Sequence, residues 1–185
     1  MKRFFDLATS ALALLVSSPI LAGSAAAIVL EDRGPVLYRQ RRVGKDGVEF
    51  ELLKLRTMVV GAETIGAGLA VNEGDPRITK VGAVLRRLSL DELPQLLNVL
   101  NGTMSLVAPR PHLAAEVARM PQEAQRRSTV KPGLTGLWQI NGRSNLGADE
   151  AVRLDIRYVD TWSLKLDLLI LLGTIPAVVT ARGAH

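Results

Sequence analysis

The sequence predicts an α+β fold that is mainly α-helical and contains one small antiparallel β-hairpin. Three observations predict it: apolar stripes at helical spacing, one pair of alternating segments around a glycine-rich turn, and an uncharged stretch of 24 residues from Leu7 to Leu30. The 185 residues suffice for one domain with a real core. The net charge of +5 favours an anionic partner or membrane surface, and the lack of cysteine excludes disulfides and thiolate metal sites.

The uncharged stretch, "LATSALALLVSSPILAGSAAAIVL", would be about 36 Å long as a straight helix, enough to cross a bilayer core. Three interpretations fit it. A cleaved signal peptide would use Lys2 and Arg3 as its basic region and the alanines at 25–27 as its cleavage site. The second interpretation is a spanning helix, and the third is a re-entrant hairpin that enters one leaflet and returns.

Ser18 and Pro19 lie at the middle of this stretch. A proline inside a helix loses a backbone hydrogen bond and bends the helix, and serine hydroxyls satisfy the freed carbonyls inside lipid. Basic residues flank both ends of the stretch, which would place both ends on the cytoplasmic side. The residues alone leave all three interpretations open and favour the re-entrant hairpin slightly.

The rest of the chain divides into a hairpin and several helices. "GPVLYRQRRVGKDGVEFELLKL" alternates in polarity on both sides of Gly44-Lys45-Asp46-Gly47, which predicts two strands and a turn. The glycines at 59–76 predict a mobile loop, with a lid as a possible role. Helices are predicted at 79–88, from about 91 to 101, at 114–127 and at 163–180. The last fits a surface amphipathic helix and a core helix about equally.

The stretch "SLDELPQL" at 89–96 combines a helix start with an adjacent carboxylate pair, Asp91 and Glu92. Asp91 is the better N-cap, because Pro94 then falls where its missing N–H costs nothing. An ionised aspartate also attacks phosphorus, its neighbour would help to hold Mg²⁺, and arginines would bind the rest of an anion. Candidate arginines are at positions 86, 87, 110 and 143. Composition alone favours a simple cap with solvated charges.

Seven blocks of the sequence carry a resemblance to a known family: "KRFFD", "GPVLYRQRRVG", "KLRTM", "PRITKVG", "LRRLSLDELPQLLNVLNGTMSLVAPRP", "VKPGLTGLWQINGR" and "LDIRYVDTWSLKLDL". In order and spacing they resemble the bacterial sugar transferases, and more narrowly the small monotopic polyprenyl-phosphate phosphoglycosyl transferases. The likeness runs from about Lys2 to Thr174. Such enzymes move a sugar-1-phosphate from a nucleoside diphosphate sugar, here expected to be a UDP-sugar, onto polyprenyl (undecaprenyl) phosphate and release UMP.

The resemblance implies a role for each site residue. Asp91 would be the nucleophile of a ping-pong mechanism, and Asp91 and Glu92 would hold Mg²⁺. Arg86, Arg110 and Arg143 would line the phosphate site. The break at Ser18-Pro19 would make residues 1–33 a re-entrant membrane hairpin and residues 34–185 a catalytic domain on the cytoplasmic face of the bacterial inner membrane.

The resemblance also implies surface amphipathic helices and the first membrane step of glycoconjugate or exopolysaccharide assembly. A nucleic-acid-binding module is the other rival, but only the charge supports it, the sequence has no recognisable nucleic-acid-binding motif, and seven aromatic residues are few, so no nucleic-acid partner is expected. The sequence departs from the family pattern at two places. Ala108 replaces a usual glycine, and Leu137-Trp138 displaces the usual tryptophan by one residue. His112 is expected to be structural. The rival hypothesis is a secreted basic binding protein with a cleaved signal peptide. The identity of the sugar and the oligomeric state stay open.

Overall fold

The computed structural model describes residues 1–66, 68–69, 74–142 and 146–179. Within them the chain is mainly helical, as predicted. The strands are β1 (Leu37–Val43), β2 (Glu49–Leu55), β3 (Ser105–Val107) and β4 (Gly133–Thr135). The helices are α1 (Lys2–Asp32), α2 (Lys80–Arg87), α3 (Gln95–Asn101), α4 (Ala114–Val117), α5 (Leu137–Ile140), α6 (Ala148–Thr161) and α7 (Leu164–Val179). Short 3₁₀ helices at Ala62–Thr64, Leu90–Glu92 and Gln122–Thr129 connect them.

Two apolar clusters form the core. The larger one joins β2, α3, β3, α6 and α7 and includes Val99, Met104, Tyr158 and Ile170. The smaller one joins α1, β2 and α2 through Ile28, Leu55 and Leu85. Leu90 packs against the smaller cluster and Leu93 against the larger one, so the segment that carries Asp91 and Glu92 is held between contacts with both.

The predicted hairpin is confirmed. Strands β1 and β2 pair in antiparallel register from Leu37 opposite Leu55 to Val43 opposite Glu49. The turn takes positive φ at Asp46 (55°) and Gly47 (80°), where aspartate and glycine are the favoured residues. Tyr38, Gln40 and Arg42 share one face of β1 because alternate residues of a strand point the same way.

A second, parallel pair of strands was not predicted. Strand β3 pairs with β4, with Ser105 opposite Gly133 and Val107 opposite Thr135. The backbones approach so closely that a Cβ on Gly133 would lie 2.2 Å from the amide nitrogen of Ala108. Ala108 is fully buried, so its own methyl group is accommodated in the core. This pairing fixes the start of the Pro109-Arg110-Pro111 segment.

Helix α1 is a single assigned helix of 31 residues that continues through Pro19, so the predicted helix-break-helix is not confirmed. The hydroxyl of Ser18 donates a hydrogen bond to the carbonyl of Leu15 at 2.8 Å. That carbonyl is the one that the missing N–H of Pro19 would have bonded, so the serine compensates for the proline. By length and apolar composition α1 is the one helix in the described part of the chain able to cross a membrane.

Both ends of α1 are bonded to the same globular body. At the start, Lys2 Nζ donates to Asp167 Oδ2 at 2.6 Å, and Arg3 donates to the carbonyls of Val99 and Leu100. At the other end, Glu31 accepts hydrogen bonds from the first backbone amides of α2 at 2.8 and 3.0 Å. Between the ends, one stripe of small polar residues faces the domain: Ser10, Ser17 and Ser24 are buried.

Three predicted helices need correction or refinement. The segment 114–127 is not one helix, since α4 ends at Val117 and a 3₁₀ helix starts after Pro121, whose ring cannot continue an α-helix. Helix α2 begins as predicted, with the Thr79 hydroxyl accepting from Gly82 N at 2.9 Å. Helix α7 packs in the core through Asp167 and Ile170, which are buried, and leaves leucines exposed on its other side.

Candidate active site

An open cleft of about 610 Å³ lies beside the hairpin. One wall is the face of β1 that carries Tyr38, Gln40 and Arg42. Residues 57–64 and 68–69, in the loop after β2, contribute another. Lys54, Arg86 and Asp91 line it as well. A cleft of this size holds a ligand of the size of a nucleotide sugar or a drug.

The backbone before α3 explains how Asp91 reaches the cleft. Ser89 has φ 54°, a left-handed conformation that is uncommon for serine, and Leu90–Glu92 then form a 3₁₀ turn. Helix α3 starts only at Gln95, with Pro94 as its N-cap, so the prediction that Asp91 caps it is wrong. Asp91 and Glu92 therefore lie on a separate turn, between two helices.

The two carboxylates have different surroundings. Arg110 donates to Glu92 Oε1 at 2.6 Å and Oε2 at 3.3 Å, and Lys54 Nζ donates to Oε1 at 3.0 Å. Lys54 Nζ also lies 3.7 Å from Asp91 Oδ2, beyond hydrogen-bond distance. Glu92 is thus fixed by two cations, whereas Asp91 faces the cleft next to one of them.

These surroundings push the two pKa values in opposite directions. Burial raises the pKa of Asp91, and the charges of Lys54 and Arg86 offset this only in part. Burial also acts to raise the pKa of Glu92, but Arg110 and Lys54 outweigh it and hold that pKa well below its usual range. Adjacent carboxylates with separated pKa values are typical of sites where one performs chemistry and the other stabilises charge.

The structure brings together most of the predicted site residues. Asp91 and Arg86 line the cleft, and Arg110 reaches the dyad from the segment after β3. Arg143 lies outside the described residues. His112 is structural in its contacts: its ring nitrogen Nδ1 lies 3.1 Å from Glu116, and its carbonyl accepts from Val43 N at 2.9 Å.

Sequence reasoning missed Lys54, Arg42 and Arg127. Lys54 belongs to the quoted "KLRTM" block, and only the strand face on which it lies identifies it as a partner of the dyad. Arg127, which is buried, donates to the carbonyl of Arg110 at 2.8 Å and forms a buried ion pair with Asp155. Arg127 is a positioning residue for Arg110. The helical pattern of residues 114–127 did not indicate this role.

The bacterial sugar transferase family model matches residues 1–181. The chain belongs to the bacterial sugar transferase family. The prediction of an enzyme of the phosphoglycosyl transferase class is therefore confirmed. The rival hypothesis of a secreted binding protein is not supported, because the family match includes the apolar segment and α1 packs against both core clusters.

Individual relatives agree with the family match. The chain is 43% identical over 198 residues to the exopolysaccharide production protein ExoY of Rhizobium meliloti, covering 100% of this chain and 88% of the relative. It is 46% identical over 195 residues to the UDP-glucose:undecaprenyl-phosphate glucose-1-phosphate transferase of Caulobacter vibrioides, covering 100% and 72%. It also matches the galactosyl transferase CpsE of Streptococcus agalactiae, at 42% identity over 99% of this chain and 43% of that longer protein.

Proposed function

We propose that this sugar transferase moves a sugar-1-phosphate from a UDP-sugar to polyprenyl phosphate, with Asp91 as a covalent nucleophile. The observation that carries the proposal is the carboxylate of Asp91 in a cleft lined by basic side chains, next to a second carboxylate already neutralised by Arg110 and Lys54. The names of the relatives from Rhizobium and Caulobacter support exopolysaccharide assembly and an undecaprenyl-phosphate acceptor.

The reaction proceeds in two displacements. An oxygen of Asp91 attacks the sugar-linked phosphorus of the donor, and the bond from that phosphorus to the bridging oxygen breaks, so UMP leaves with the electron pair. The phosphate oxygen of the lipid then attacks the same phosphorus, releasing Asp91 and forming polyprenyl-diphosphate-sugar. Lys54 and Arg86, both at the cleft, stabilise the negative charge that these steps bring near Asp91.

The residues fit a bound Mg²⁺, which needs only one or two carboxylates when substrate phosphates complete its shell. No cluster of three or more acidic, histidine or cysteine side chains occurs among the described residues, so a cage built from protein alone is not part of this proposal. Asp91 and Glu92 would hold the ion. When bound, it would neutralise the phosphate oxygens of the donor.

For the membrane, we propose that α1 enters one leaflet and returns to the cytoplasmic face of the inner membrane, with its bend at Ser18-Pro19. The bonding of its two ends to one body supports an arrangement in which both ends lie on one side of a bilayer. The outer face of α1 is apolar, with these exposed residues: Phe4, Leu12, Leu15, Val16, Ile20, Val29 and Leu30. Helix α7 adds Leu168, Leu169, Leu172 and Ile175, which suits a helix lying along the membrane surface.

The nucleophile is tested with purified protein, Mg²⁺ and a panel of UDP-sugars in the absence of lipid. We expect release of about one equivalent of UMP per protein and a matching sugar-phosphate mass on the intact chain. Asp91→Asn should show neither, whereas Asp46→Asn, a control on the exposed hairpin turn, should behave as wild type. Turnover with lipid but without an adduct would refute the covalent step.

The topology is tested by single-cysteine labelling, which the cysteine-free chain allows without background. A cysteine inserted after Met1 and the substitution Arg33→Cys lie just outside opposite ends of α1, and Met1 and Arg33 are both exposed. A membrane-impermeant maleimide should label both in inverted vesicles and neither in intact cells. Labelling of the two ends from opposite sides would refute the re-entrant arrangement.

A further inference from the structure

Arg42 is a half-buried cation of the cleft whose role the dyad does not explain. It follows Tyr38 and Gln40 on the inward face of β1, and its side chain is 20% exposed. Its neighbour Arg41 points the other way, is 80% exposed and pairs loosely with Glu49 at 3.8 Å. The strand therefore separates two adjacent arginines into one in the cleft and one in solvent.

The hydrogen bonds of Arg42 go to neutral oxygens. Its Nε and Nη2 atoms donate to Gln40 Oε1 at 2.9 and 2.6 Å, and Nη1 makes a long contact of 3.4 Å with the carbonyl of Pro111. The carboxylate of Glu116 is 3.7 Å away and already accepts from Leu113 N. Gln40 thus fixes the guanidinium plane without neutralising it, and part of the five-donor fork stays available.

Arg42 and the nucleophile Asp91 have different charged neighbours. It interacts electrostatically with Arg110 and Glu92, whereas the basic neighbours of Asp91 are Lys54, Arg86 and Arg110. Burial, and then the like charge of Arg110, lower the pKa of Arg42. Two arginines held near each other in a partly buried site are stabilised by an anion that binds both.

We propose that Arg42, oriented by Gln40, binds the nucleoside-linked phosphate of the donor, the phosphate that leaves when Asp91 attacks. This assignment rests on the proposed function. As the bond between the sugar-linked phosphorus and the bridging oxygen breaks, the electron pair stays on that oxygen and negative charge grows on the departing UMP. The free N–H groups of Arg42 stabilise this charge, and no proton transfer is needed.

The test compares Arg42→Gln with Arg41→Gln, a matched control on the same strand. Binding of UMP, UDP and uridine to the full-length protein is measured by calorimetry, and donor kinetics follow UMP release. Arg42→Gln should weaken UMP and UDP at least about tenfold, leave uridine unchanged, and lower kcat/KM for the donor by about 100-fold or more. Arg41→Gln should stay within about twofold of wild type, because its side chain lies in solvent.

The outcomes separate the possible explanations. Equal weakening of uridine and UMP would mean that the cleft had collapsed, and would overturn the proposal. Loss of UDP affinity with unchanged UMP affinity would overturn it too, because Arg42 would then hold the sugar-linked phosphate. Should Arg42→Gln not fold, Arg42→Lys keeps the charge but loses the fork, and should weaken UMP by about three- to tenfold. A wild-type protein that binds UMP through Arg42 but turns over no donor would refute the proposed function alone.

Discussion

Lys54 is the residue whose replacement tests the electrostatics of the dyad most directly. Lys54→Met keeps the length of the side chain and removes its charge. Glu92 would keep its bidentate partner Arg110, at 2.6 and 3.3 Å, so this carboxylate would not be left without a cation. Asp91, in contrast, would lose the cation at 3.7 Å. We therefore expect an effect on the reaction that is larger than the effect on folding.

The distance sets the size of the effect. At 3.7 Å and an effective dielectric constant of about 20, a pair of unit charges is worth about 4.5 kcal/mol. Lys54 is about one-fifth exposed, and solvent together with the remaining arginines would compensate for part of the loss. We expect a net loss of about 2–3 kcal/mol of transition-state stabilisation, or about 30- to 150-fold in rate.

The assay is the rate of UMP release in a single turnover without lipid acceptor. Lys45→Met, at the solvent-exposed turn of the same hairpin, is the control and should react as wild type. Thermal unfolding of both variants should stay within about 4 °C of the wild type. A rate for Lys54→Met within about threefold of wild type, with Asp91 still forming the adduct, would show that Lys54 contributes little to charge stabilisation at the site.

Three further predictions concern stability and the metal. Burial raises the pKa of Asp155 to about 7. The protonated side chain therefore contributes its full stabilisation below about pH 4, and this stabilisation, on the order of 3–4 kcal/mol, is lost as the pH rises through 7. Asp155→Asn should flatten the dependence of the unfolding temperature on pH between pH 5 and 8. Asp32→Asn removes the carboxylate partner of buried Arg56 and should lower the free energy of unfolding by about 3 kcal/mol, whereas Asp46→Asn should not. Chelation by EDTA should abolish turnover but move the unfolding temperature by less than about 2 °C, because cations already neutralise Glu92.

Local patterns predicted the local elements well. Alternating polarity around Gly44 and Gly47 located the hairpin, and the helix predicted at 79–88 is α2. The carboxylate pair was predicted at the start of the next helix, whereas it lies on a separate 3₁₀ turn and α3 starts at Gln95. The hairpin and α2 depend on residues close in sequence, and elementary backbone rules suffice for them.

Features that depend on distant contacts were not predictable. The parallel pairing of β3 with β4 joins segments 28 positions apart, and each strand has only three residues, too few to show an alternating pattern. The roles of Lys54 and Arg42 depend on which face of the hairpin the cleft occupies, and that is decided by the packing of α3 against β2. The sequence around a single basic residue in a strand does not indicate which group its side chain will contact.

The ion pair between Lys2 and Asp167 has a consequence for the order of events during synthesis of the chain. The two residues are 165 positions apart, so the first helix leaves the ribosome long before the carboxylate that holds its start. Until the carbonyls of Val99 and Leu100, and then Asp167, are synthesised, the charged start of α1 lacks these partners. The apolar face of α1 is therefore exposed before the core is complete, and α7 supplies the carboxylate that completes the bonding of its start.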